Sequence, residues 1–244
     1  MSITDRTLHF GSCSACPIRK QAVCAHCGRE ELRQLDTMKY YRNFEAGQPI
    51  VWSGDRMNFV ASIVSGVASL TQSMEDGRTQ IVGLLLPSDF VGRPGREFAE
   101  YNVTAKTDLV MCCFHKKPFE EMVRSTPAIA QRLLEMTLDE LDAARAWMLL
   151  LGRKTAREKI ASLLVIIAQR TLKLEGANSR ANLEFDLPLT REAMADYLGL
   201  TIETVSRQIS MLKKANVILL EGTRRIRVPD FPRLMVEAGS GASV

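Results

Sequence analysis

Four cysteines near the start of the chain have the spacing of a metal-binding segment. Cys13 and Cys16 are separated by two residues, as are Cys24 and Cys27, and seven residues lie between the two pairs. Two-residue spacing lets both thiolates of a pair bind one ion or one cluster. We therefore expect these cysteines to bind metal rather than to pack in a core.

Two kinds of metal site would suit these thiolates. A single zinc ion would take the four N-terminal cysteines, as a paired knuckle does. An iron–sulfur cluster would be the competing occupant, with Cys112-Cys113 as a second source of thiolate in the middle of the chain. Soft thiolates suit both metals, so the residue types alone leave the choice open. The histidines His9, His26 and His115 are expected at the surface rather than among the ligands.

Composition predicts a soluble protein of the cytoplasm. Apolar residues make up 46% of the chain and charged residues 25%, as in ordinary globular proteins. The polar stretch Met1–Phe10 has no signal-peptide pattern, and apolar runs such as Ile81–Pro87 and Leu163–Ala168 are too short to span a bilayer. Thiols stay reduced in the cytoplasm, so disulfides are not expected.

The net charge of +4 is unevenly distributed. Residues 153–233 contain 15 Lys and Arg against 9 Asp and Glu, whereas residues 1–152 contain 17 against 18. A positive C-terminal third suits contact with phosphates, although a solvated basic surface would carry the same charge.

The secondary structure that must position the cysteines is predicted to be a short helix followed by a strand-rich region. A short helix is predicted over Glu30–Met38. From Tyr40 to His115, Gly and Pro separate short apolar segments, which predicts a β-roll or sandwich. The predicted strands are Phe59–Val64, Val67–Gln72, Gln80–Leu86, Asn102–Thr107 and Leu109–His115.

A long helix is predicted from Thr126-Pro127 to about Gly152, with proline at its first position. It has two apolar stripes. The first, expected to pack on the β-domain of the same chain, comprises Ile129, Leu133, Met136, Ala143, Trp147 and Leu150. The second has the alternating three- and four-residue spacing of a coiled-coil seam and comprises Leu134, Thr137, Leu141, Ala144, Met148 and Leu151. We expect this seam to join two copies of the chain; the alternative is one monomer core that contains both stripes.

Residues 189–213 have the pattern of a helix-turn-helix. Thr190 is suited to cap a first helix, Gly199 to end it in the left-handed conformation, and Thr201 to cap a second helix. The apolar positions of the two helices are Ala193, Met194, Tyr197 and Leu198, then Val205, Ile209 and Leu212. The opposite face of the second helix has Glu203, Ser206 and Arg207. This arrangement is typical of a helix that enters the DNA major groove.

Flanking segments complete a winged helix. A helix over about Arg153–Leu174 and a polar loop over Glu175–Asn182 precede the helix-turn-helix. Val217–Glu221 and Arg224–Val228 flank the turn Gly222-Thr223, which predicts a β-hairpin wing.

A β-roll, a long helix and a winged helix in this order resemble the CRP/FNR superfamily of bacterial regulators, over about residues 12–235. The motifs that carry the resemblance are Thr190-Arg191, Tyr197–Thr201, Glu203–Arg207 and, in the β-roll, Leu86–Gly92. The N-terminal cysteines make the chain similar to the oxygen-sensing FNR branch, and within it to the FnrL type. The implied fold is α+β, with an N-terminal cyclic-nucleotide-binding-like β-roll, a long dimerisation helix and a C-terminal winged helix-turn-helix.

The resemblance implies a [4Fe–4S] cluster with three N-terminal ligands and one from a distant β-roll strand. The matching residues are Cys13, Cys16, Cys24 and Cys112. The gap before Cys24 is longer than in the best-known family member, so Cys27 remains an alternative.

Strand alternation predicts which of Cys112 and Cys113 faces inward. Val110, Cys112 and Phe114 share one face, and Met111, Cys113 and His115 share the other. The apolar neighbours of Cys112 predict that it faces inward, with Cys113 as the alternative ligand.

The resemblance further implies a switch in which the cluster ties the N-terminal loop to the β-roll beside the long helix and favours association along the seam. Oxygen converts the cluster and lowers DNA affinity. Ala144 stands where the best-known member has an acidic residue, and Asp139, Glu140 and Asp142 are nearby sources of repulsion.

Cyclic nucleotide is not expected in the roll. The regions that would bind it, Val91–Gly95 and Asn102–Ala105, lack the ribose-binding glutamate and the phosphate-binding arginine of that branch.

The resemblance also assigns roles in DNA reading. Arg207 would contact guanine, Glu203 cytosine and Ser206 thymine or adenine within a palindrome of TTGAT half-sites. The alternative for Glu203 and Arg207 is a surface ion pair four residues apart. Residues expected at phosphates or helix caps are Thr190, Arg191, Thr201, Lys213 and Lys214.

The predicted organisation has five parts: residues 1–30 bind the cluster, 31–125 form the β-roll, 126–152 dimerise, 153–236 bind DNA and 237–244 form a tail.

RNA polymerase is the expected further partner, through Ser73–Arg78, where Arg78 replaces an acidic residue of the best-known member. No phosphate loop or nucleophile–base pair is found, so an enzyme is not expected. The rival interpretations are a zinc-stabilised or small-ligand-responsive regulator and a small iron–sulfur redox protein.

Overall fold

The computed structural model describes residues 11–175 and 181–239. The expectation for His9, and parts of those for the loop over 175–182 and the tail over 237–244, lie outside the described residues. The chain divides into two units: one extends to Leu70 and includes Leu84–Leu138, and the other comprises Thr71–Gly83 and the chain from Asp139 onward. The division at residue 138 falls within a single long helix.

Two four-stranded sheets form the β-roll. Its strands are β1 Lys39–Phe44, β2 Pro49–Val51, β3 Phe59–Ser65, β4 Ala68–Ser73, β5 Thr79–Leu85, β6 Phe90–Val91, β7 Asn102–Ala105 and β8 Leu109–His115. One sheet has the order β1-β8-β3-β6 and the other β2-β7-β4-β5. Apolar side chains such as Ile63, Leu109 and Met111 fill the space between them.

The five predicted strands are confirmed, most within two residues of their bounds, and β8 coincides with its prediction. The prediction missed β1, β2 and β6. β1 is a polar and aromatic strand that is only half-buried for most of its length, and β2 and β6 are too short for an alternating pattern.

Three helices flank the strands of the roll in the sequence. They are α1 Arg29–Met38, α2 Lys116–Ser125 and α3 Pro127–Arg153. α1 and α3 agree with the predictions, whereas α2 was missed because it follows β8 without a turn residue and contains Pro118. That proline lies in the first turn of the helix, where the missing N–H costs no helical hydrogen bond. No helix among the described residues is long and apolar enough to cross a membrane.

The C-terminal part is a winged helix. It comprises α4 Ala156–Glu175, β9 Ala181–Asp186, α5 Arg191–Leu198, α6 Ile202–Lys214, β10 Leu219–Glu221, β11 Arg225–Asp230 and α7 Phe231–Glu237. The predicted wing is present, and β9 adds a third strand to it beside β11. The last helix, α7, is capped by Asp230 and runs through Glu237.

Candidate cysteine site and nucleic-acid interface

Cysteines from two remote parts of the chain line one cavity in the first unit. The N-terminal segment contributes Cys13, Cys16 and Cys24, and β8 contributes Cys112. Apolar side chains close the cavity, among them Ile18, Val23, Leu35 and Phe114. All six cysteines are free thiols.

Hydrogen bonds shape the N-terminal segment, and three of its four cysteines line the cavity. The amide of Cys13 donates to Asp36 Oδ1 at 3.0 Å, and Lys39 Nζ donates to the same oxygen at 2.5 Å. Arg19 closes the following turn, because its guanidinium donates to the carbonyls of Ala25 at 2.8 Å and Cys27 at 2.7 Å. Side chains on α1 and the adjoining strand therefore fix the position of the segment.

The strand register brings two further strands, β1 and β3, to the cavity. Across the sheet, Tyr41 of β1 and Ser62 of β3 both lie opposite Cys112 of β8. Directly opposed residues project from the same face of a sheet, and all three line the cavity.

Cys112 does not face the interior of the roll, so the expectation that it faces inward is wrong. Met111 and Cys113 lie in the core between the two sheets, whereas Cys112 faces the N-terminal segment. β8 is buried on both faces, so apolar neighbours could not distinguish them. Neither Cys113 nor Cys27 lines the cavity.

Burial keeps these thiols protonated. Desolvation raises the pKa of Cys13 to about 12, with a further contribution from Asp36, and raises the pKa values of Cys16, Cys24 and Cys112. Burial alone would lower the pKa of Lys39, but its hydrogen bond to Asp36 outweighs this and the pKa is raised. Metal binding at this cavity would therefore release protons while a buried cation stands nearby.

A single metal ion does not match the arrangement. Within residues 11–175 and 181–239, no group of three or more His, Cys, Asp or Glu residues is placed to hold one ion. Zinc requires each sulfur about 2.3 Å away, so that tetrahedral sulfurs lie about 3.8 Å apart.

Two contacts, missed by the sequence analysis, link the cysteine segment to α3. Arg132 Nη2 donates to the carbonyl of Gln21 at 2.6 Å, and His26 Nε2 lies 2.8 Å from Glu135 Oε2. Arg132 also pairs with Glu135 at 3.1 Å. The hydrogen bond from His26, followed by that from Arg132, lowers the pKa of Glu135 to about 2. Charged residues on a helix surface give no sequence signal for such a contact.

The helix-turn-helix is built as its local sequence predicts. Thr190 Oγ1 accepts from the amide of Ala193 at 3.1 Å, and Thr201 Oγ1 accepts from that of Thr204 at 3.3 Å. Gly199 has φ +61° and ends α5 in the left-handed conformation. The predicted apolar positions of both helices are buried.

The three predicted base-reading side chains are exposed on one side of α6. The alternative ion pair is absent from the described part of the chain, where neither an ion pair nor a hydrogen bond joins Glu203 to Arg207. Hydrogen bonds from its own amide and from Thr201 lower the pKa of Glu203. Arg207 is thus available to an external partner.

The predicted phosphate-contacting residues lie around these helices. Lys213 and Lys214 are exposed in the last turn of α6. Arg191 is half-buried and its guanidinium contacts Met194 Sδ at 3.5 Å.

Known proteins share both halves of this architecture. A cyclic nucleotide-binding domain model matches residues 41–126, and a Crp-like helix-turn-helix domain model matches residues 158–236. The transcriptional activator protein FnrL of Cereibacter sphaeroides is 68% identical over 227 residues, which cover 93% of this chain and 92% of that protein. The chain belongs to the CRP/FNR family.

Two further members of the CRP/FNR family support this assignment. The nitrogen fixation regulation protein FixK of Bradyrhizobium diazoefficiens is 36% identical over 212 residues, 87% of each chain. The solved structure of FixK2 from Bradyrhizobium japonicum superposes with a TM-score of 0.72 at 30% identity and covers 81% of this chain and 96% of that one. The protein is thus a DNA-binding transcriptional activator of the FNR/FixK type.

In this CRP/FNR regulator the second stripe of α3 is largely uncovered. Leu134 is 60% exposed, Leu141 45% and Met148 74%, with Thr137 and Ala144 also exposed and Leu151 half-buried. Apolar side chains at coiled-coil spacing are thereby left without a partner in a single chain.

The first stripe of α3 differs from the expectation. Its start at Ile129 is buried in the first unit, but Trp147 stacks on Tyr197 of α5 with ring centroids 3.9 Å apart and planes at 19°. Trp147 therefore packs on the helix-turn-helix of the second unit, a contact that the sequence analysis did not predict.

The hairpin tip expected to contact polymerase is held by its own charges. Arg78 Nε donates to Asp76 Oδ2 at 2.8 Å. The same hairpin belongs to the second unit, where Gln80 Nε2 donates to the carbonyl of Asp196 at 2.6 Å.

Proposed function

We propose that this CRP/FNR regulator is an oxygen-responsive activator that holds an oxygen-labile [4Fe–4S] cluster with Cys13, Cys16, Cys24 and Cys112. The observation that carries the proposal is their meeting at one cavity, although Cys112 is remote in sequence. In this proposal residues 1–30 bind the cluster, 31–125 form the β-roll, 126–152 dimerise, 153–236 bind DNA and 237–244 form a tail.

The residues around the cavity fit such a group. Four thiols, each too buried to ionise unaided, would become thiolates on iron. The buried ammonium of Lys39 would offset part of the resulting negative charge. The hydroxyl of Ser62 lies at the cavity without any hydrogen-bond partner among the described residues.

Arg132 and Glu135 are the proposed path to the dimer. They tie α3 to the cysteine segment through Gln21 and His26, one turn or less from Leu134. A segment fixed by the cluster would hold this part of α3 in one position, and a segment released by oxygen would not. Because dimers bind two half-sites far more tightly than monomers do, a few kcal/mol in the seam suffices to switch DNA binding.

The proposed seam consists of Leu134, Thr137, Leu141, Ala144, Met148 and Leu151. A seam without an acidic residue at Ala144 would form a tighter dimer, against which Asp139, Glu140 and Asp142 would supply repulsion. In this form the switch acts within a stable dimer more than by its dissociation.

Arg207, Glu203 and Ser206 are the proposed readers of a TTGAT-type half-site, upstream of genes used with little or no oxygen. Thr190, Arg191, Thr201, Lys213 and Lys214 would position the protein on phosphates. The exposure of the three readers and the free guanidinium of Arg207 support base contact.

The remaining partners follow from the same proposal. The hairpin Ser73–Arg78 is the proposed contact with RNA polymerase. Cyclic nucleotide is not proposed as a ligand, because the roll lacks the two residues that would bind it. The protein would act in the cytoplasm, where its DNA lies.

The proposal is tested on full-length protein purified without air. Iron, zinc and acid-labile sulfide are measured per chain, and binding to a TTGAT palindrome is measured before and after air is admitted. We expect iron with equal sulfide, and DNA affinity that falls as sulfide is lost. Zinc without sulfide, or air-independent affinity of a sulfide-containing protein, would contradict the proposal.

A further inference from the structure

Ser62 lies on the cysteine side of β3. Its neighbours Ala61 and Ile63 are fully buried in the roll core. Ser62 projects from the other face, is 2% exposed and lines the cavity. Its cross-strand partner on β8 is Cys112, so the hydroxyl and the thiol leave the sheet side by side.

The hydroxyl of Ser62 has no hydrogen-bond partner among the described residues. Another buried serine shows what is usual: Ser162 Oγ accepts from Lys154 Nζ at 2.8 Å and lies 3.3 Å from the carbonyl of Ala238. Burying a hydroxyl without a partner costs about 1–3 kcal/mol, so an unpaired serine in a strand centre is unfavourable for folding alone. An alanine there would avoid that cost.

The surroundings of Ser62 contain sulfur acceptors and few oxygen acceptors. Besides the cysteines, the cavity is lined mainly by aliphatic and aromatic side chains. A thiolate or an inorganic sulfide accepts hydrogen bonds, whereas a protonated thiol accepts them weakly. The hydroxyl thus gains a good partner when the thiols become ligands.

We propose that the Ser62 hydroxyl donates a hydrogen bond to a sulfur of the bound iron–sulfur group and tunes its resistance to oxygen. This inference rests on the proposed function. Hydrogen bonds to cluster sulfurs stabilise the more negative, reduced state and raise the reduction potential. Ser62 is then a positioning and tuning residue that is not a ligand.

The test compares Ser62→Ala with wild type and with Ser69→Ala, a buried serine of the roll that does not line the cavity. All are full-length proteins prepared without air. Ser62→Ala is expected to keep its iron and sulfide, shift the midpoint potential to more negative values, and lose sulfide in air about two- to tenfold faster. Wild-type Fe–S vibrations are expected to shift in D2O, and this shift is expected to vanish in Ser62→Ala.

A further variant, Ser62→Thr, retains the hydroxyl. If Ser62→Ala loses the cluster, a Ser62→Thr protein with the wild-type potential supports the proposal, and one that also loses the cluster overturns it. Wild-type potential, rate and D2O shift in Ser62→Ala also overturn it, as does an equal change in Ser69→Ala. These outcomes concern the Ser62 proposal alone, because the wild-type protein still contains sulfide in each of them. A wild-type protein without sulfide would instead refute the proposed function itself.

Discussion

The cysteine cavity and the recognition helix present their functional groups in opposite ways. The cavity gathers thiols from two remote pieces of the chain, the N-terminal segment and β8, and side chains of α1, β1 and β3 complete its wall. The recognition helix α6, which follows α5 after Gly199, exposes Glu203, Ser206 and Arg207 on one side. In the proposed function the first region would surround a small group, and the second would offer an exposed surface to a large partner.

This difference determines how each region responds to change. The N-terminal segment is held by a few hydrogen bonds, such as those of Arg19 and Asp36, and in the proposed function a group bound to its thiols would order it further. The two recognition helices are capped and packed without any ligand. We therefore expect changes at the cavity to act on regulation and changes on α6 to act on sequence reading.

Replacing Cys112 should have the largest effect. Cys112→Ala removes one proposed ligand, so we expect loss of bound iron and sulfide and loss of air-responsive DNA binding. The measurement is metal and sulfide analysis with an anaerobic DNA shift. Cys113→Ala is the matched control: it should retain the cluster and lower the free energy of unfolding by about 1 kcal/mol, because it only removes core volume. Equal loss of iron and sulfide in both variants would contradict the assignment of Cys112 as the ligand.

The seam should give the next largest effect. Leu141→Glu places a carboxylate from each chain at the proposed interface and removes its apolar contact, so dimer dissociation should increase about a hundredfold or more. Sedimentation of DNA-free protein measures this. Val236→Glu, at an apolar side chain of α7 that is more exposed than Leu141, should leave the oligomeric state unchanged. A monomer–dimer balance unaffected by Leu141→Glu would place the interface elsewhere.

Arg207→Ala should weaken binding to the cognate palindrome by about 1–3 kcal/mol, or roughly five- to 150-fold, with the loss concentrated at one guanine. Binding to a set of half-sites mutated one base at a time measures this. Lys214→Ala should instead weaken all sequences alike and reduce the salt dependence. If Arg207→Ala weakens binding to all of these sequences equally, Arg207 contacts phosphate and does not read a base.

The smallest effect is expected at the contact between α3 and the cysteine segment. Arg132→Ala removes the hydrogen bond to Gln21, which is partly exposed to solvent, so the ratio of anaerobic to aerobic DNA affinity should fall about two- to tenfold with iron content unchanged. Arg33→Ala, which removes the exposed pair with Glu30, is the control and should leave the ratio unchanged. If Arg132→Ala keeps the wild-type ratio of anaerobic to aerobic DNA affinity, this contact has no part in the proposed switch.

Sequence patterns predicted the recognition helices closely because their determinants are local. A cap, a left-handed glycine and a stripe all lie within a few residues of what they position, as Thr190, Gly199 and Val205 illustrate. The cavity required contacts that no local pattern encodes. Alternation could not orient Cys112 on a strand buried on both sides, and nothing in the sequence linked His26 to Glu135.

The stack of Trp147 on Tyr197 provides the chain with an internal optical reporter. Indole emission depends on its immediate contacts, and any rotation of α5 against α3 must separate these two rings. The only other tryptophan, Trp52, is exposed on the β-roll. Replacing it with Phe would leave Trp147 as the one emitter, so that stopped-flow fluorescence could measure whether and when its contact with Tyr197 changes once air is admitted.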